Sequence, residues 1–496
     1  MPLGAFKAAL LGSSGGGSKT YWALALSPNT DGDESNGFGL AVDSSDNVYW
    51  ALYDNSGYEG HLVKFEQSGG LPTVDVAKKL DNYVPVSGLT VWDDSGTETL
   101  ACYGTRNATS ESCWIYSIGT DLTTSINSGR STGIYINSGD NAGMGSNCAE
   151  LDTSNGKLFW SAQDNYNYFG WASISQGIWF ENGYSASQTG SGTYSAGSGK
   201  TNDSNLHYKH SAFQWGANRT GCTTRYNDTP VIVGNHSTSG QTATGTAYEL
   251  WAQGESNIYQ CSSSAAWNPG ETDDDYLYML ILNPYVWSPY ERVSLVKVND
   301  SYTTQWCRTL SGDNMYSPGT TGSNSMGGGQ PCKPIFDSSN NCYIAWGDAV
   351  GSGGTERVSI VKFNSSGTLQ WQNSIEATTV AGVTNQFNPQ QLALSDDEED
   401  LYVSINRCRL SGSSGTGLVL KVPSDGSMTS SSSISLNSGA ITYNSSSYTD
   451  VAGNWNFATG TTMGYATSTS QTGAGSGTWG TGSSFTTHLH TAEIEG

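Results

Sequence analysis

The octapeptide Val42-Asp43-Ser44-Ser45-Asp46-Asn47-Val48-Tyr49 decides the fold, because variants of it return along the whole 496-residue chain. It joins an apolar residue to a turn rich in Asp and Asn, and then to an apolar segment with an aromatic residue. Clear copies are 151–159 (LDTSNGKLF), 336–343 (FDSSNNCY) and 394–402 (LSDDEEDLY), and looser copies are 92–100, 226–231 and 273–278. Such Asx-rich tetrads are typical of β-hairpin turns. They predict turns at positions 43, 94, 152, 228, 274, 337 and 396.

A second phrase, an apolar strand that carries a lysine, follows four of these turns. It reads LVKF at 62–65, LVKV at 295–298, IVKF at 360–363 and VLKV at 419–422. Segments led by Trp306 and Trp371 follow two of the lysine strands. One unit is therefore strand, Asx turn, strand, longer loop, strand, turn, strand, with an average spacing of about 59 residues. Four antiparallel strands in series form a propeller blade, so we predict an all-β chain with a β-propeller of about seven four-stranded blades over residues 19–438.

The two ends of the chain differ from the repeat. The segment 21–26 (YWALAL) is similar to a Trp-led fourth strand but precedes the first unit. We therefore expect it to pair with the last blade and close the ring, which removes an exposed sheet edge. Residues 1–18 are expected to form an N-terminal anchor peptide and Gly/Ser linker, and residues 439–496 a Ser/Thr/Gly-rich β extension.

Charge and composition exclude several classes of partner. The chain has 21 Lys and Arg against 44 Asp and Glu, a net charge of −23, and no cluster of basic residues. A nucleic acid or an anionic membrane surface needs such a cluster, so we expect neither partner. The apolar stretch at the N-terminus is short and interrupted by Lys7, which predicts neither a signal peptide nor membrane insertion. We expect synthesis in the cytoplasm and, for the nine irregularly spaced cysteines, buried thiols rather than zinc or redox sites.

Motifs for catalysis are lacking. The sequence contains no G-x-S-x-G, H-E-x-x-H or Walker loop, so we expect no catalytic residue, no metal and no cofactor. Asp54, Asp164 and Asp348 each end a predicted second strand. They could form a ring of cation ligands, although Asx turns that open the loops are the favoured interpretation. His488 and His490 share one face of a strand, but two ligands are too few for a metal site.

Two predicted loops are rich in aromatic residues and are the candidate binding site. They are 164–171 (DNYNYFGW) and 283–292 (NPYVWSPYER). Exposed aromatic rings beside polar groups can stack on sugar rings or bind a protein, although packing on the propeller body or on a neighbouring subunit is the favoured interpretation. The candidate residues are Tyr166, Tyr168, Trp171, Tyr285, Trp287, Tyr290 and Arg292.

The N-terminal sequence 1–12 (MPLGAFKAALLG), followed by a Gly/Ser run, resembles the start of virion proteins of marine tailed phages, especially of phages that infect cyanobacteria. The phrase 41–49 (AVDSSDNVY) is similar to the propeller repeats of bacterial and phage proteins. The resemblance implies a non-enzymatic virion protein, a tail fibre or a tail- or head-associated appendage, that displays a propeller for attachment to a host glycan or receptor. Leu3, Phe6, Leu10 and Leu11 would then bind other virion proteins, and the protein would be oligomeric in the particle.

Two other classes stay open at this point. One is a secreted propeller enzyme that acts on polysaccharides, and the other is a lectin-like adhesin on a cell surface. The absence of a predicted signal peptide disfavours the secreted enzyme.

Overall fold

The computed structural model describes a chain built of β-strands and turns, which confirms the all-β prediction; the described residues contain no helix. The described residues are 19–28, 35–54, 59–68, 71–80, 83–94, 97–106, 113–123, 142–143, 149–152, 157–164, 177–185, 197–201, 206–216, 219–226, 229–237, 246–252, 262–272, 275–283, 292–312, 315–316, 331–350, 356–377, 386–411, 414–427, 433–436, 439–453, 455–457, 461–462, 465–467, 479–481 and 485–494.

Within these residues the strands form seven antiparallel sheets, numbered here in chain order. Sheet 1 contains β2 (Ser35–Val42), β3 (Val48–Asp54), β4 (Glu59–Ser68), β5 (Leu71–Leu80) and β36 (Trp479–Thr481). Sheet 2 contains β6 (Tyr83–Asp94), β7 (Thr97–Arg106) and β8 (Cys113–Gly119). Sheet 3 contains β9 (Ala142–Gly143), β10 (Ala149–Asp152), β11 (Lys157–Asp164), β12 (Gly177–Ser185), β13 (Gly197–Thr201) and β35 (Tyr465–Thr467). Sheet 4 contains β14 (Leu206–Trp215), β15 (Arg219–Tyr226), β16 (Thr229–Ser237), β17 (Thr246–Ala252), β33 (Trp455–Phe457) and β34 (Thr461–Thr462).

The last three sheets follow the same plan. Sheet 5 contains β18 (Ser262–Trp267), β19 (Leu277–Asn283), β20 (Arg292–Val298), β21 (Thr304–Ser311) and β32 (Thr449–Ala452). Sheet 6 contains β22 (Met315–Tyr316), β23 (Ile335–Phe336), β24 (Cys342–Val350), β25 (Glu356–Phe363), β26 (Leu369–Ala377), β31 (Gly439–Ser445) and β30 (Ser433–Leu436). Sheet 7 contains β27 (Gln386–Leu394), β28 (Asp400–Ser411), β29 (Ser414–Pro423), β1 (Lys19–Pro28) and β37 (Phe485–Ile494).

The N-terminal strand β1 belongs to the last sheet, as its Trp-led sequence predicts. Trp22 to Ala25 pair with Lys421 to Leu418 of β29, so β1 takes the place of a fourth strand. The strands of the C-terminal extension add to the outer edges of sheets 6, 5, 4, 3, 1 and 7 in that order. The extension therefore passes from sheet to sheet against the direction of the rest of the chain.

The turn that opens on Asp43 shows why the repeated octapeptide forms a hairpin. One carboxylate oxygen of Asp43 accepts the backbone N–H groups of Ser45 and Asn47, both at 2.9 Å. The other accepts the Tyr49 hydroxyl at 2.7 Å. Asp46 has a φ of 61°, a left-handed conformation that Asp and Asn tolerate better than most residues. In sheet 6, Asp337 accepts the corresponding groups of its own turn.

The repeated lysine has a structural role. In four sheets it lies directly across from a tyrosine of the second strand: Tyr49 with Lys64, Tyr278 with Lys297, Tyr343 with Lys362 and Tyr402 with Lys421. The four ammonium groups contact Asp75 at 3.5 Å, Glu271 at 2.7 Å, Asp337 at 3.0 Å and Asp400 at 2.7 Å, respectively. Because a partly buried ammonium needs a charged partner, each lysine is tied to its own sheet.

Apolar side chains fill the spaces between successive sheets. Sheets 7 and 1 share a core around Trp22, Trp50 and Tyr402. Further shared cores join sheets 1 and 2, 4 and 5, 5 and 6, and 6 and 7. Strand β10 of sheet 3 lies beside β6 of sheet 2 and β14 of sheet 4. Each sheet thus contacts the next in chain order, and the last contacts the first.

Aromatic residues of the extension enter three of these spaces. Tyr443 lies between sheets 6 and 7, Tyr448 between sheets 5 and 6, and Trp455 between sheets 4 and 5. Trp455 also donates its indole N–H to Ser294 Oγ at 2.9 Å. Burial of large aromatic side chains contributes about 3–5 kcal/mol each, so these residues of the extension belong to the core.

The turn predicted at position 228 is placed wrongly within its unit. Tyr226 pairs with Thr229, so that turn joins the second and third strands of sheet 4. The first connection follows Gly216, which has a φ of 69° and where a Cβ would lie 2.2 Å from Asp275 Oδ2. Glycine is required at this position by both conformation and space. The Asn227-Asp228 pair suits either hairpin, which is why the sequence pattern alone does not distinguish them.

The structure describes the side chains of four of the nine cysteines, and these four are buried free thiols, as predicted. They are Cys102, Cys307, Cys332 and Cys342. Burial raises the pKa of the Cys307 thiol to about 11. A thiol with so high a pKa is a poor nucleophile and a poor metal ligand.

Candidate functional site

The sheets have two different ends. We call one end the turn side. It is formed by the turns 43–47, 299–303, 337–341, 364–368 and 395–400. The opposite end, where second strands connect to third strands, is called the loop side. Since strands alternate in direction, every first-to-second turn lies on the turn side of its sheet.

Hydrogen bonds between neighbouring sheets link the turns to one another. Ser44 N donates to Glu98 Oε1 at 3.0 Å, which joins sheets 1 and 2. Asp396 N donates to Asp46 Oδ1 at 2.8 Å, which joins sheets 7 and 1. Similar bonds join sheets 6 and 7 through Ser338 and Glu398, and sheets 5 and 6 through Asn268 and Asn340. These five sheets therefore present their turns on one common side.

The predicted Trp-led fourth strands begin on this side too. Trp306 donates its indole N–H to Ser365 O at 3.0 Å, and Trp371 donates to Ser424 O at 3.1 Å. In each case the acceptor lies in the turn of the following sheet. Each indole thereby satisfies its N–H and joins two successive sheets, which explains why a tryptophan recurs at this position.

First strands of three sheets converge on one glutamine. Gln391 of β27 accepts the backbone N–H of Leu40 of β2 at 3.0 Å, and it donates to the carbonyl oxygen of Leu89 of β6 at 2.9 Å. A Cβ on Gly39 would lie 2.7 Å from the backbone carbon of Gly88. The backbones of β2 and β6 therefore touch, and the Gln391 amide fills the space beside them.

Strand β1 begins on the turn side. Trp22 of β1 lies beside Lys421, two residues before the end of β29, and β29 ends in the turn at Ser424 that accepts the Trp371 indole. Lys19, the first residue of β1, therefore lies at this end of sheet 7. The anchor residues predicted from the sequence, Leu3, Phe6, Leu10 and Leu11, lie outside the described residues.

The aromatic loops are attached at the opposite side. Asp164 pairs with Gly177 at the ends of β11 and β12, and Asn283 pairs with Arg292 at the ends of β19 and β20. The connections 165–176 and 284–291 therefore start on the loop side of sheets 3 and 5. Six of the candidate residues lie in these connections, outside the described residues: Tyr166, Tyr168, Trp171, Tyr285, Trp287 and Tyr290. The seventh, Arg292, is the first residue of β20.

The three aspartates that could have formed a cation ring have different positions. Asp54 and Asp164 are the last residues of β3 and β11, whereas Asp348 lies within β24 and is fully buried. Its carboxylate receives the Arg357 guanidinium at 2.5 and 3.1 Å and the Tyr448 hydroxyl at 3.2 Å. A carboxylate occupied in this way is a structural ion pair rather than an open cation ligand.

Burial has the largest effect on the titration of Asp348. Burial raises the pKa of Asp348 above its ordinary 3.8, although the Arg357 guanidinium acts in the opposite direction. Sequence inspection missed Arg357 and Tyr448, because neither belongs to a recurring phrase. Among the described residues, no group of three or more His, Cys, Asp or Glu is placed to hold a metal ion. His488 and His490 lie in β37, and their side chains fall outside the description.

No protein family matches the chain, and no curated protein matches it. Among solved structures, the chain is similar to regucalcin, a calcium-binding protein from Agrobacterium tumefaciens strain C58, with a TM-score of 0.34 and 11% identity over 77% of this chain and 89% of that one.

No helix among the described residues is long and apolar enough to cross a membrane.

Proposed function

We propose that the seven sheets are the blades of a closed seven-bladed β-propeller, in which β1 is the fourth strand of the last blade. Three observations support the proposal: each sheet packs on the next in chain order, sheet 7 packs on sheet 1, and Gln391 bonds to the first strands of two other sheets. Closure by a strand from the opposite end of the chain leaves no open edge between the first and last blades.

We further propose that the chain is a virion structural protein of a phage, a tail fibre or a tail- or head-associated appendage. In this proposal residues 1–12 bind other virion proteins, and the propeller is displayed for attachment to a glycan or receptor on the host surface. The protein would be oligomeric in the particle and would not be an enzyme.

The observation that supports this proposal is that the strand ends that flank the two predicted binding segments lie on opposite sides. The anchor peptide joins β1 on the turn side, whereas the connections 165–176 and 284–291 start on the loop side. A protein anchored through its N-terminus would therefore direct its aromatic loops away from the particle. An adhesin or an enzyme without an anchor does not need its N-terminus and its aromatic loops on opposite sides.

Several ionisable residues of the sheets favour a binding protein over an enzyme. The lysines of the third strands and Asp337 hold turns together, and Asp348 and Arg357 form a buried pair. These groups serve the fold, so they are not available for acid–base chemistry.

The proposal is tested by incorporation of the protein into particles. We expect the variant in which Leu3, Phe6, Leu10 and Leu11 are replaced by serine to fold normally and to be lost from purified particles by at least tenfold. Ala8→Ser with Ala9→Ser is the matched control in the same peptide and should leave incorporation unchanged. Normal incorporation of the fourfold variant, or glycan hydrolysis by the purified protein, would overturn the proposal.

A further inference from the structure

The N-terminal strand β1 is hydrogen bonded along both of its edges. On one side, four residues of β1 pair with β29. On the other side, all ten residues pair with the C-terminal strand β37, from Lys19 with Ile494 to Pro28 with Phe485. The longer of the two pairings is thus made with the last strand of the chain.

Both faces of β1 are buried as well. Tyr21 and Ala23 pack in the core shared with sheet 6, and Trp22, Leu24 and Leu26 pack in the core shared with sheet 1. Their side chains are between 0% and 3% exposed. The strand is therefore fixed by two neighbouring strands and by two neighbouring sheets.

Without β37, β1 would be the edge strand of sheet 7. It would keep only the pairing of Trp22 to Ala25 with β29. Edge strands present unpaired backbone groups and exchange partners more readily than central strands. Strand β37 thus converts what would be an edge strand of this sheet into a central one.

The direction of the strands decides how tension would act on them. Residues 1–18 join β1 at Lys19, on the turn side, so a pull on the anchor acts along the axis of β1. Hydrogen bonds of an antiparallel ladder are perpendicular to the strands, so this pull shears both ladders at once instead of opening them one bond at a time.

We propose that β37 is a clasp that locks β1 in the fold against tension applied through the N-terminal anchor. The proposal rests on the proposed function, because an attachment protein is pulled between its anchor and its host. The clasp closes when the final strand of the chain pairs with the first, so a protein lacking this strand would hold its anchor weakly.

Single-molecule pulling tests the clasp on the purified protein, independently of any particle. One handle is placed at the N-terminus and the other in the connection 284–291, and the full chain is compared with a chain that ends at residue 481. We expect the truncated chain to unfold at least tenfold faster at equal force. A synthetic peptide of residues 482–496 should restore the slower rate, and a scrambled peptide should not.

A second pulling geometry separates the clasp from a general loss of stability. With handles in the connections 165–176 and 284–291, tension bypasses β1, and truncation should change the unfolding rate by less than twofold. Equal effects in both geometries, or no effect through the N-terminus, would overturn the clasp.

A point variant covers the case in which the truncated chain does not fold. Leu489→Pro interrupts β37 where it pairs with Leu24, and Val451→Pro interrupts β32 of the same extension on sheet 5. Only Leu489→Pro should shorten the lifetime under tension through the N-terminus, and equal lifetimes would contradict the clasp. Since particle incorporation is not measured here, loss of the clasp would leave the proposed anchor role of residues 1–12 standing.

Discussion

Gln391 and Leu89 lie 302 residues apart in the chain, and their amide groups form a pair of hydrogen bonds. Leu89 N donates to Gln391 Oε1 at 3.3 Å, and Gln391 Nε2 donates to Leu89 O at 2.9 Å. The same Oε1 accepts Leu40 N. One side chain of sheet 7 therefore forms hydrogen bonds with three backbone groups of sheets 1 and 2. In a continuous strand ladder, a neighbouring strand would form these bonds.

Replacing this glutamine should destabilise the fold strongly. Gln391→Leu keeps the size of the side chain but removes all three hydrogen bonds, and each buried backbone group left without a partner costs about 1–3 kcal/mol. We expect the free energy of unfolding to fall by at least ~2 kcal/mol in urea titrations. Gln370→Leu, at an exposed position, is the control and should change it by less than ~0.5 kcal/mol. Equal free energies of unfolding for the two variants would show that Gln391 does not bridge the sheets.

The ion pair of Asp348 and Arg357 gives a second prediction. Arg357→Leu leaves the carboxylate of Asp348 buried without its cation, which costs about 3–5 kcal/mol at neutral pH. The loss of unfolding free energy should become smaller as the pH falls, because protonation of Asp348 removes the uncompensated charge. Burial favours this protonation, since it raises the pKa of Asp348. Urea unfolding between neutral and acidic pH measures both effects.

A more exposed pair provides the control for this prediction. Arg308 pairs with Asp450 of the extension, and the Arg308 side chain is 28% exposed. Arg308→Leu should cost less than ~1 kcal/mol, as is usual for pairs near the surface. A loss at Arg357 that is no larger than the loss at Arg308 would argue against a buried structural pair.

Local chemistry explains which parts of the fold were predictable. Asp43 and Asp337 were recognisable because each carboxylate serves the hairpin turn next to it in sequence. The lysines were recognisable for the same reason, since Tyr343 and Lys362 repeat a cross-strand pair found in other sheets. Such contacts lie within one unit, so they leave the same residue types at regular intervals.

Contacts between distant segments leave no such signal. The Ser/Thr/Gly-rich extension was predicted to add strands, but its partners depend on which sheet edges lie nearby in space. Tyr448 illustrates this, because its hydroxyl contacts Asp348 and Ser359 of sheet 6, while its own neighbours in sequence are polar. Gln391 likewise occurs once, and no repeat identifies it. The candidate site was predicted only as two aromatic loops, and the structure adds the side on which they start.

The carboxylate of Asp337 predicts a loss of stability in acid. Burial would raise its pKa, but hydrogen bonds from Asn341 and the Lys362 ammonium outweigh burial and hold the pKa below the ordinary 3.8. A carboxylate whose pKa is lower in the folded state than in the unfolded state stabilises the fold at any pH above its unfolded-state pKa. This stabilisation is lost as the pH falls through the folded-state pKa. Asp337→Asn should therefore be less stable than the natural protein at pH 7, by about 1–3 kcal/mol, and should lose less stability below about pH 4.

Urea titrations from neutral pH to about pH 2 measure this difference. Ser339→Ala changes an exposed residue of the same turn and keeps the carboxylate, so its acid profile should match that of the natural protein. Parallel profiles for Asp337→Asn and the natural protein would mean that the carboxylate has no depressed pKa in the fold.

The loop side should carry the contact with the host. Trp287→Ala with Tyr168→Ala removes one aromatic ring from each of the two connections, which start on the loop side of sheets 5 and 3. Aromatic rings supply much of the contact area in glycan and protein recognition, so we expect binding to cells or to isolated surface glycans to weaken by at least tenfold. The control is Ser339→Ala with Thr303→Ala, two exposed residues of the turn side, which should bind as the natural protein does. If the double aromatic variant keeps its unfolding free energy and adsorbs to cells as the natural protein does, these loops are not the binding site. If the turn-side control loses as much binding as the aromatic variant, the contact lies on the turn side.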